Sequence, residues 1–221
     1  MSGNSISNAS FNHSFLQQIQ DALKHQLPGE DAHLPMSPSG RGRSSESLLK
    51  AQDYRKSAVA MILFQERNDL RFILTQRAEY KGVHSGQMSF PGGRIESFDR
   101  SDVEAIIRET REEVGIGMTE ECLLGKLTDV YIPVSSYLVH PFVFYLEERP
   151  LIVNNYEVTE TFDFSIQQLL DHRSVSKMAV TVGSNTRLIV PCFNFEERKV
   201  WGATAVILNE FKVMLHHLNG R

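Results

Sequence analysis

The spacing of apolar residues divides most of the chain into short strands. Several apolar or alternating runs have the length and the β-branched, aromatic content of strands. The tetrapeptide RNDL at 67–70 predicts a turn, which makes the two runs beside it a hairpin. Strands are therefore predicted at 57–64, 71–77, 123–132, 137–148 and 186–195.

Three other segments repeat their apolar residues at helical spacing. Residues 164–171 and 203–218 predict helices, and residues 15–27 predict a short amphipathic helix. The last of these places four apolar residues on one face: Phe15, Ile19, Leu23 and Leu27. Strands that occur before and after helices, together with hairpins, predict an α/β fold in which helices cover a mixed sheet.

Residues 1–50 differ in composition from the rest of the chain. After the amphipathic helix comes PGEDAHLPMSPSGRGRSSES, which is rich in Pro, Gly and Ser. Such a composition predicts a flexible arm that buries little. We therefore expect an N-terminal helix with a flexible arm at 1–50 and one compact domain at 51–221.

The overall composition narrows the classes of function. The chain has 221 residues, 41% of them hydrophobic, and a net charge of −4. This balance is typical of a soluble globular protein and argues against nucleic acid as a partner. Cys122 and Cys192 form no CxxC pair, so free thiols are expected. No apolar run approaches the roughly 20 residues of a membrane span, and the first residues lack a signal-peptide core. The predicted location is the cytoplasm.

One segment stands out chemically: GGRIESFDRSDVEAIIRETREEVG at 92–115. Ser101 or Asp102 is a suitable N-cap, and Gly115 is a suitable stop for a helix that ends at Val114. The helix follows directly on a Pro-Gly-Gly turn and a polar loop.

The predicted helix separates its carboxylates from its apolar stripe. At about 100° per residue, Glu109, Glu112 and Glu113 are mutual neighbours roughly 120° away from the centre of that stripe. Two explanations stay open from geometry alone. The carboxylates are either a solvated face neutralised by Arg108 and Arg111, or ligands for a hard divalent cation.

The same segment, extended to Ile116, resembles the Nudix box, G-x5-E-x7-R-E-U-x-E-E-x-G-U. Its second half fits except that Thr110 stands where an aliphatic residue is usual. Its first half departs from the pattern. Asp99 stands in place of the first Glu of the box, and one extra residue precedes Arg108.

A second segment, LTQRAEYKGVHSGQMSFPGG (Leu74–Gly93), is similar to the signature of the coenzyme A pyrophosphatase branch of that family. Lys81 replaces the usual Arg, which keeps the charge but loses the bidentate fork. VWGATAVIL at 200–208 resembles the closing helix of the branch. The resemblance covers about residues 55 to 215 and leaves out the N-terminal arm.

The resemblance implies a Nudix-type α/β/α sandwich with a mixed sheet. It also implies hydrolysis of the pyrophosphate of coenzyme A or its derivatives, with Mg²⁺ or Mn²⁺, to 3′,5′-ADP and 4′-phosphopantetheine. Two alternatives are an enzyme for ADP-ribose or another nucleoside diphosphate derivative and a non-catalytic nucleotide sensor. The expected partner is a small molecule. Homodimers are common in related folds, although no interface can be identified in this sequence.

By position in the box, Glu109 and Glu113 are expected to bind the metal, with Glu112 as a further ligand or a partner of the base. Arg108 is expected to pair with a glutamate of the box and orient it. Glu160, with Glu157 as the alternative, is the expected base from outside the box.

The resemblance also assigns candidate substrate contacts. Arg77, Lys81 and His84 are expected near the phosphates, although for His84 the alternative of no contact stays open. Gly92 and Gly93 are expected to form a tight turn that brings backbone close to metal and phosphates.

Overall fold

The structure, a computed structural model, describes residues 13–78, 85–182 and 186–220. Its α-helices are α1 (His13–His25), α2 (Glu30–His33), α3 (Ser44–Leu49), α4 (Asp102–Val114), α5 (Ile166–Leu170) and α6 (Gly202–Asn219). Its strands are β1 (Arg55–Glu66), β2 (Asp69–Arg77), β3 (Met88–Ser89), β4 (Gly92–Arg94), β5 (Leu123–Lys126), β6 (Val130–Ile132), β7 (Tyr137–Leu146), β8 (Val158–Ser165), β9 (Val175–Val182), β10 (Thr186–Phe195) and β11 (Arg198–Val200). No helix in these ranges is long and apolar enough to cross a membrane.

β1 is the central strand of the main sheet. It pairs in antiparallel fashion with β2 and β4 and in parallel with β7. β2 also pairs with β3 and β8, and β7 pairs with β5 and β6. The described strands thus form a mixed sheet of eight, and β9, β10 and β11 form a separate antiparallel sheet. The predicted mixed α/β sheet is confirmed.

Side chains of β1 alternate between two apolar layers, because successive residues of a strand point to opposite faces. Ala60 and Ile62 pack in the layer that contains Ile106 of α4. Met61 and Leu63 pack in the opposite layer, which contains apolar residues of α1 and α6. Helices therefore cover both faces of the sheet. α4 covers one face, and α1 and α6 cover the other.

Most predicted elements are present, with two differences. The segment at 123–132 forms two strands, β5 and β6, because Thr128 between them turns its N–H and hydroxyl toward Glu210 of α6. The helix predicted at 164–171 shrinks to α5, because Phe164 is buried as part of β8, which pairs with β2. The sequence patterns did not predict β8 or β9.

The prediction that the arm after α1 buries little was wrong. Ala32, His33 and Met36 are buried in the structure. Asn209 of α6 donates a hydrogen bond to the Ala32 carbonyl at 2.6 Å, and His33 contacts Glu210. The Pro- and Gly-rich composition conceals two short helices, α2 and α3. It also does not show that polar groups elsewhere bind the backbone of the arm. The boundary at residue 50 stays a prediction.

Candidate active site

α4 begins and ends where the sequence predicted. The Ser101 hydroxyl accepts a hydrogen bond from the Glu104 N–H, and Gly115 ends the helix with a φ of 69°. The three carboxylates are not equally solvated. Glu113 is buried, whereas the side chain of Glu109 is 18% exposed and that of Glu112 is 59% exposed. A solvated acidic face therefore describes Glu112 alone.

Gly92 and Gly93 bring the backbone of β4 against α4. The Gly92 N–H donates to Glu113 Oε2 at 2.8 Å. A Cβ on Gly92 (φ 150°) would overlap the carbonyl of Ala58 in β1, and a Cβ on Gly93 would overlap the Glu109 carboxylate. Gly92 needs glycine because it meets the backbone of β1 at a positive φ, whereas a side chain at Gly93 would displace the Glu109 carboxylate.

Arg108 links Asp99 to the carboxylates of α4. Its Nε and Nη2 donate to the two Asp99 oxygens at 3.0 and 2.9 Å, and its Nη1 donates to Glu109 Oε1 at 2.7 Å. Nη1 also lies 3.3 Å from Glu112 Oε2. The hydrogen bonds from Arg108 hold the pKa of Asp99 below its ordinary value, and those to Asp99 raise the pKa of Arg108. Arg108 is thus placed to orient Glu109, and Asp99 is placed to hold Arg108.

We call Glu109 and Glu113 the inner carboxylates. Their surroundings do not fully offset the cost of burying a negative charge. Burial raises the pKa of Glu113 to about 7, although the Gly92 N–H and the charge of Arg77 act in the opposite direction. Burial also raises the pKa of Glu109, against the effect of Arg108. Strongly shifted carboxyl groups of this kind cluster at functional sites.

Arg77 lies at the end of β2 with its charge close enough to Glu113 to affect that carboxyl. Its Nε is buried and has no hydrogen-bond partner among the described residues. A buried guanidinium N–H in this position suits an anionic ligand. Lys81 and His84 lie in 79–84, outside the described residues, so their contacts with substrate stay predictions.

The structure does not bring Glu160 to the carboxylates of α4. Glu160 lies opposite Gln76 of β2, and its Oε2 is 3.7 Å from Arg198 Nη2. Arg198 stacks over the Phe162 ring, which packs against the layer that contains α6. Glu160 therefore faces the side of the sheet opposite α4.

A β-bulge explains this orientation. The register between β2 and β8 shifts between Gln76 and Arg77, so that Val158 packs in the α4 layer although Phe162 and Phe164 do not. The charge of Glu157, just before Val158, adds to burial and to the neighbouring glutamates of α4 in raising the pKa of Glu109 and Glu113. The sequence named Glu157 only as the alternative, and no sequence pattern reveals this bulge.

A family model described as NUDIX domain matches residues 54–180, which is more than half of the chain. The chain belongs to the Nudix family. The match contains the glycine turn, α4 and the start of β8, so the carboxylate cluster lies within the Nudix region.

Several curated Nudix proteins are similar to this chain. The mitochondrial coenzyme A diphosphatase NUDT8 of Homo sapiens is 36% identical over 136 residues, which cover 61% of this chain and 57% of that protein. A probable nudix hydrolase of Schizosaccharomyces pombe is 29% identical over 198 residues, 86% of this chain and 64% of the relative. The chain thus spans less than two thirds of the length of either relative.

One solved structure supports the Nudix fold. A MutT/nudix family protein from Enterococcus faecalis superposes with a TM-score of 0.54, covering 93% of this chain and 74% of the other. Its sequence identity is 12%, so the likeness concerns the fold alone.

Nudix hydrolases generally use divalent cations such as Mg²⁺ or Mn²⁺. Within the described ranges, no three acidic, histidine or cysteine side chains are close enough to hold an ion as they stand. The donor set nevertheless fits a hard cation, because Glu109, Glu112 and Glu113 offer only carboxylate oxygens. Burial raises the pKa of Glu109 and of Glu113 and so disfavours their charged forms, which a bound cation would favour. Binding requires these side chains to turn toward one another.

Proposed function

We propose that this Nudix hydrolase cleaves the pyrophosphate of coenzyme A or its derivatives, with Mg²⁺ or Mn²⁺. The products would be 3′,5′-ADP and 4′-phosphopantetheine, or its acylated form. One observation carries the proposal. Residues near both ends of Leu74–Gly93, the segment similar to the coenzyme A branch, interact with Glu113. Arg77, near the start of the segment, acts on that carboxyl electrostatically, and Gly92, near its end, donates a hydrogen bond to it. The relatives named coenzyme A diphosphatases, at 33–36% identity, support this choice of substrate.

Arg77 is the proposed anchor for the phosphates. Its buried Nε has no partner among the described residues, and a phosphate oxygen would accept from it. Because Arg77 lies close to Glu113, this contact would place the pyrophosphate beside the carboxylates of α4. Lys81 and His84 are proposed as further contacts from the same segment.

Glu109, Glu113 and Glu112 would hold the divalent ion. When bound, the ion supplies neutralisation of the pyrophosphate and lowers the pKa of an attacking water. Arg108, fixed by Asp99, keeps Glu109 in place for this task. Glu157 is the proposed base, since its charge reaches both inner glutamates while Glu160 faces the other side of the sheet.

A hydrolysis panel tests the substrate. Purified protein with Mg²⁺ or Mn²⁺ is incubated with coenzyme A, an acylated derivative and ADP-ribose, with a chelator as the blank, and the products are identified by mass spectrometry. We expect metal-dependent release of 3′,5′-ADP from coenzyme A. If coenzyme A stays intact while ADP-ribose is cleaved, the coenzyme A proposal fails and the ADP-ribose alternative replaces it. Binding of these nucleotides without any turnover would indicate a sensor.

A further inference from the structure

An exposed apolar loop borders the carboxylate site. Leu151, Val153 and Tyr156 are 83%, 63% and 87% exposed, respectively. Single exposed apolar side chains are common on protein surfaces, but three within six residues form a patch. The six residues at 151–156, LIVNNY, include no charged side chain. We call this segment the 151–156 loop.

The loop is attached to the end of α4. The Val153 N–H donates to the Val114 carbonyl at 2.9 Å, and the Asn155 N–H donates to the Glu113 carbonyl at 2.8 Å. Ile152 packs against the apolar layer beneath α4. These contacts satisfy two carbonyl groups that the helix itself leaves unpaired. The exposed side chains therefore project from a loop whose backbone is fixed to the catalytic helix.

The other end of the loop leads directly into the site. The Glu157 carboxylate lies close enough to the Tyr156 hydroxyl to raise its pKa. The Glu157 carbonyl accepts from the Ala78 N–H at 2.8 Å, one residue after Arg77. The apolar surface is thus continuous with the proposed base and with the strand end that carries the phosphate anchor.

We propose that the 151–156 loop binds the apolar chain of an acylated substrate while Arg77 binds its phosphates. This inference rests on the proposed function, because it needs a nucleoside diphosphate that carries such a chain. The distribution of charge favours binding of the alkyl chain at the loop and of the phosphates at Arg77. The loop has no positive charge to attract the phosphates, whereas Leu151 and Val153 would lose contact with water when an alkyl chain covers them. Continuity with the site favours substrate over a partner protein as the occupant.

The test compares an octanoyl derivative of coenzyme A with unacylated coenzyme A. Leu151→Ser/Val153→Ser removes the two aliphatic side chains of the patch and changes no carboxylate. The matched control is Val134→Ser/Ile189→Ser, two exposed apolar residues on the turn before β7 and on β10. Circular dichroism and thermal melting verify that each variant is folded. The measured quantity is the ratio of kcat/KM for the acylated substrate to kcat/KM for the unacylated one.

We expect this ratio to fall about tenfold in Leu151→Ser/Val153→Ser, which corresponds to roughly 1.4 kcal/mol of lost binding, and to stay near wild type in the control. An unchanged ratio, in a wild-type protein that cleaves both substrates, overturns the inference and leaves the proposed function intact. Cleavage of neither substrate by wild-type protein overturns the proposed function as well. A wild-type dimer that becomes monomeric in Leu151→Ser/Val153→Ser, measured by light scattering, identifies the patch as an interface between copies and also overturns the inference.

Discussion

Two buried glutamates, Glu210 in α6 and Glu113 in α4, differ in how their surroundings treat them. Glu210 is fully buried and meets several donors: the Gly29 N–H at 3.2 Å, His33 Nε2 at 2.9 Å, and the Thr128 N–H and hydroxyl at 3.1 and 2.6 Å. Glu113 is also buried, but the described residues give it one hydrogen bond, from the Gly92 N–H. Burial alone therefore does not distinguish the two sites.

The two glutamates differ in the number of hydrogen-bond donors that surround the buried carboxylate. A buried carboxylate with a full set of donors stabilises the elements that supply those donors. Glu210 joins the arm, the β5–β6 connection and α6 in this way. A buried carboxylate with too few donors is destabilising, and such a group persists mainly where function needs it. This contrast favours a structural role for Glu210 and supports the metal-binding role that we propose for Glu113.

The largest expected effect comes from Glu210→Ala, which should lower the free energy of unfolding by about 3–5 kcal/mol. The loss follows because buried His33 and the partly buried Gly29 and Thr128 would all lose their acceptor. Urea unfolding measures the change, and limited proteolysis tests whether the arm at 28–43 becomes accessible. Glu148→Ala, an exposed control, should stay within about 0.5 kcal/mol. A change below about 1 kcal/mol in Glu210→Ala would contradict the structural role.

Glu113→Gln should have the opposite effect on stability in metal-free protein. The folded-state pKa of Glu113, about 7, lies above its ordinary value of 4.5, so the folded protein binds this proton more tightly than the unfolded chain. The resulting stability is full below about pH 4.5 and is lost as the pH rises through 7. Glu113→Gln should therefore match wild type near pH 4.5 and exceed it by up to roughly 3 kcal/mol at pH 8.

Urea unfolding of both proteins with a chelator, from pH 4.5 to pH 8, measures this difference. Added Mg²⁺ should then stabilise wild type more than Glu113→Gln at pH 8, because ligand binding to the folded state raises its stability. If the difference in the free energy of unfolding between the two proteins does not change with pH, the raised pKa of Glu113 is contradicted.

The same change, Glu to Gln, should lower kcat far more at Glu109 than at Glu160. Glu109→Gln should lower kcat by about a hundredfold or more, because a carboxylate proposed to hold the ion becomes a neutral amide. Glu160→Gln, the matched change on the opposite face of the sheet, should stay within about twofold. Steady-state kinetics with each variant measure both effects, and equilibrium binding shows whether Glu109→Gln still binds substrate. Equal losses in the two variants would contradict the placement of Glu160 away from the site.

The sequence predicted those features of the site that depend on local chemistry. Ser101 and Gly115 set the ends of α4 through capping, which involves neighbouring residues only. Features that depend on distant contacts escaped prediction. The burial of the arm depends on Glu210, 177 residues after His33. The orientation of Glu160 depends on a bulge in the pairing of β2 with β8. The hydrogen bond that Glu113 receives depends on the Gly92 backbone of β4, which lies 21 residues before it in the sequence.

The smallest effect is expected at Asp99, which stands where the Nudix box has a glutamate. Asp99→Asn keeps the shape of the side chain but removes one acceptor and the charge that hold Arg108, so Arg108 should orient Glu109 less well. A loss of about tenfold in kcat is expected, the size typical of residues that support a ligand, with KM little changed. Asp99→Glu keeps the charge and should restore much of the activity. The activity of Asp99→Asn could instead fall only as much as the amount of folded protein, with kcat per folded molecule unchanged. That result would show that Asp99 supports the loop before α4 and does not act through Arg108.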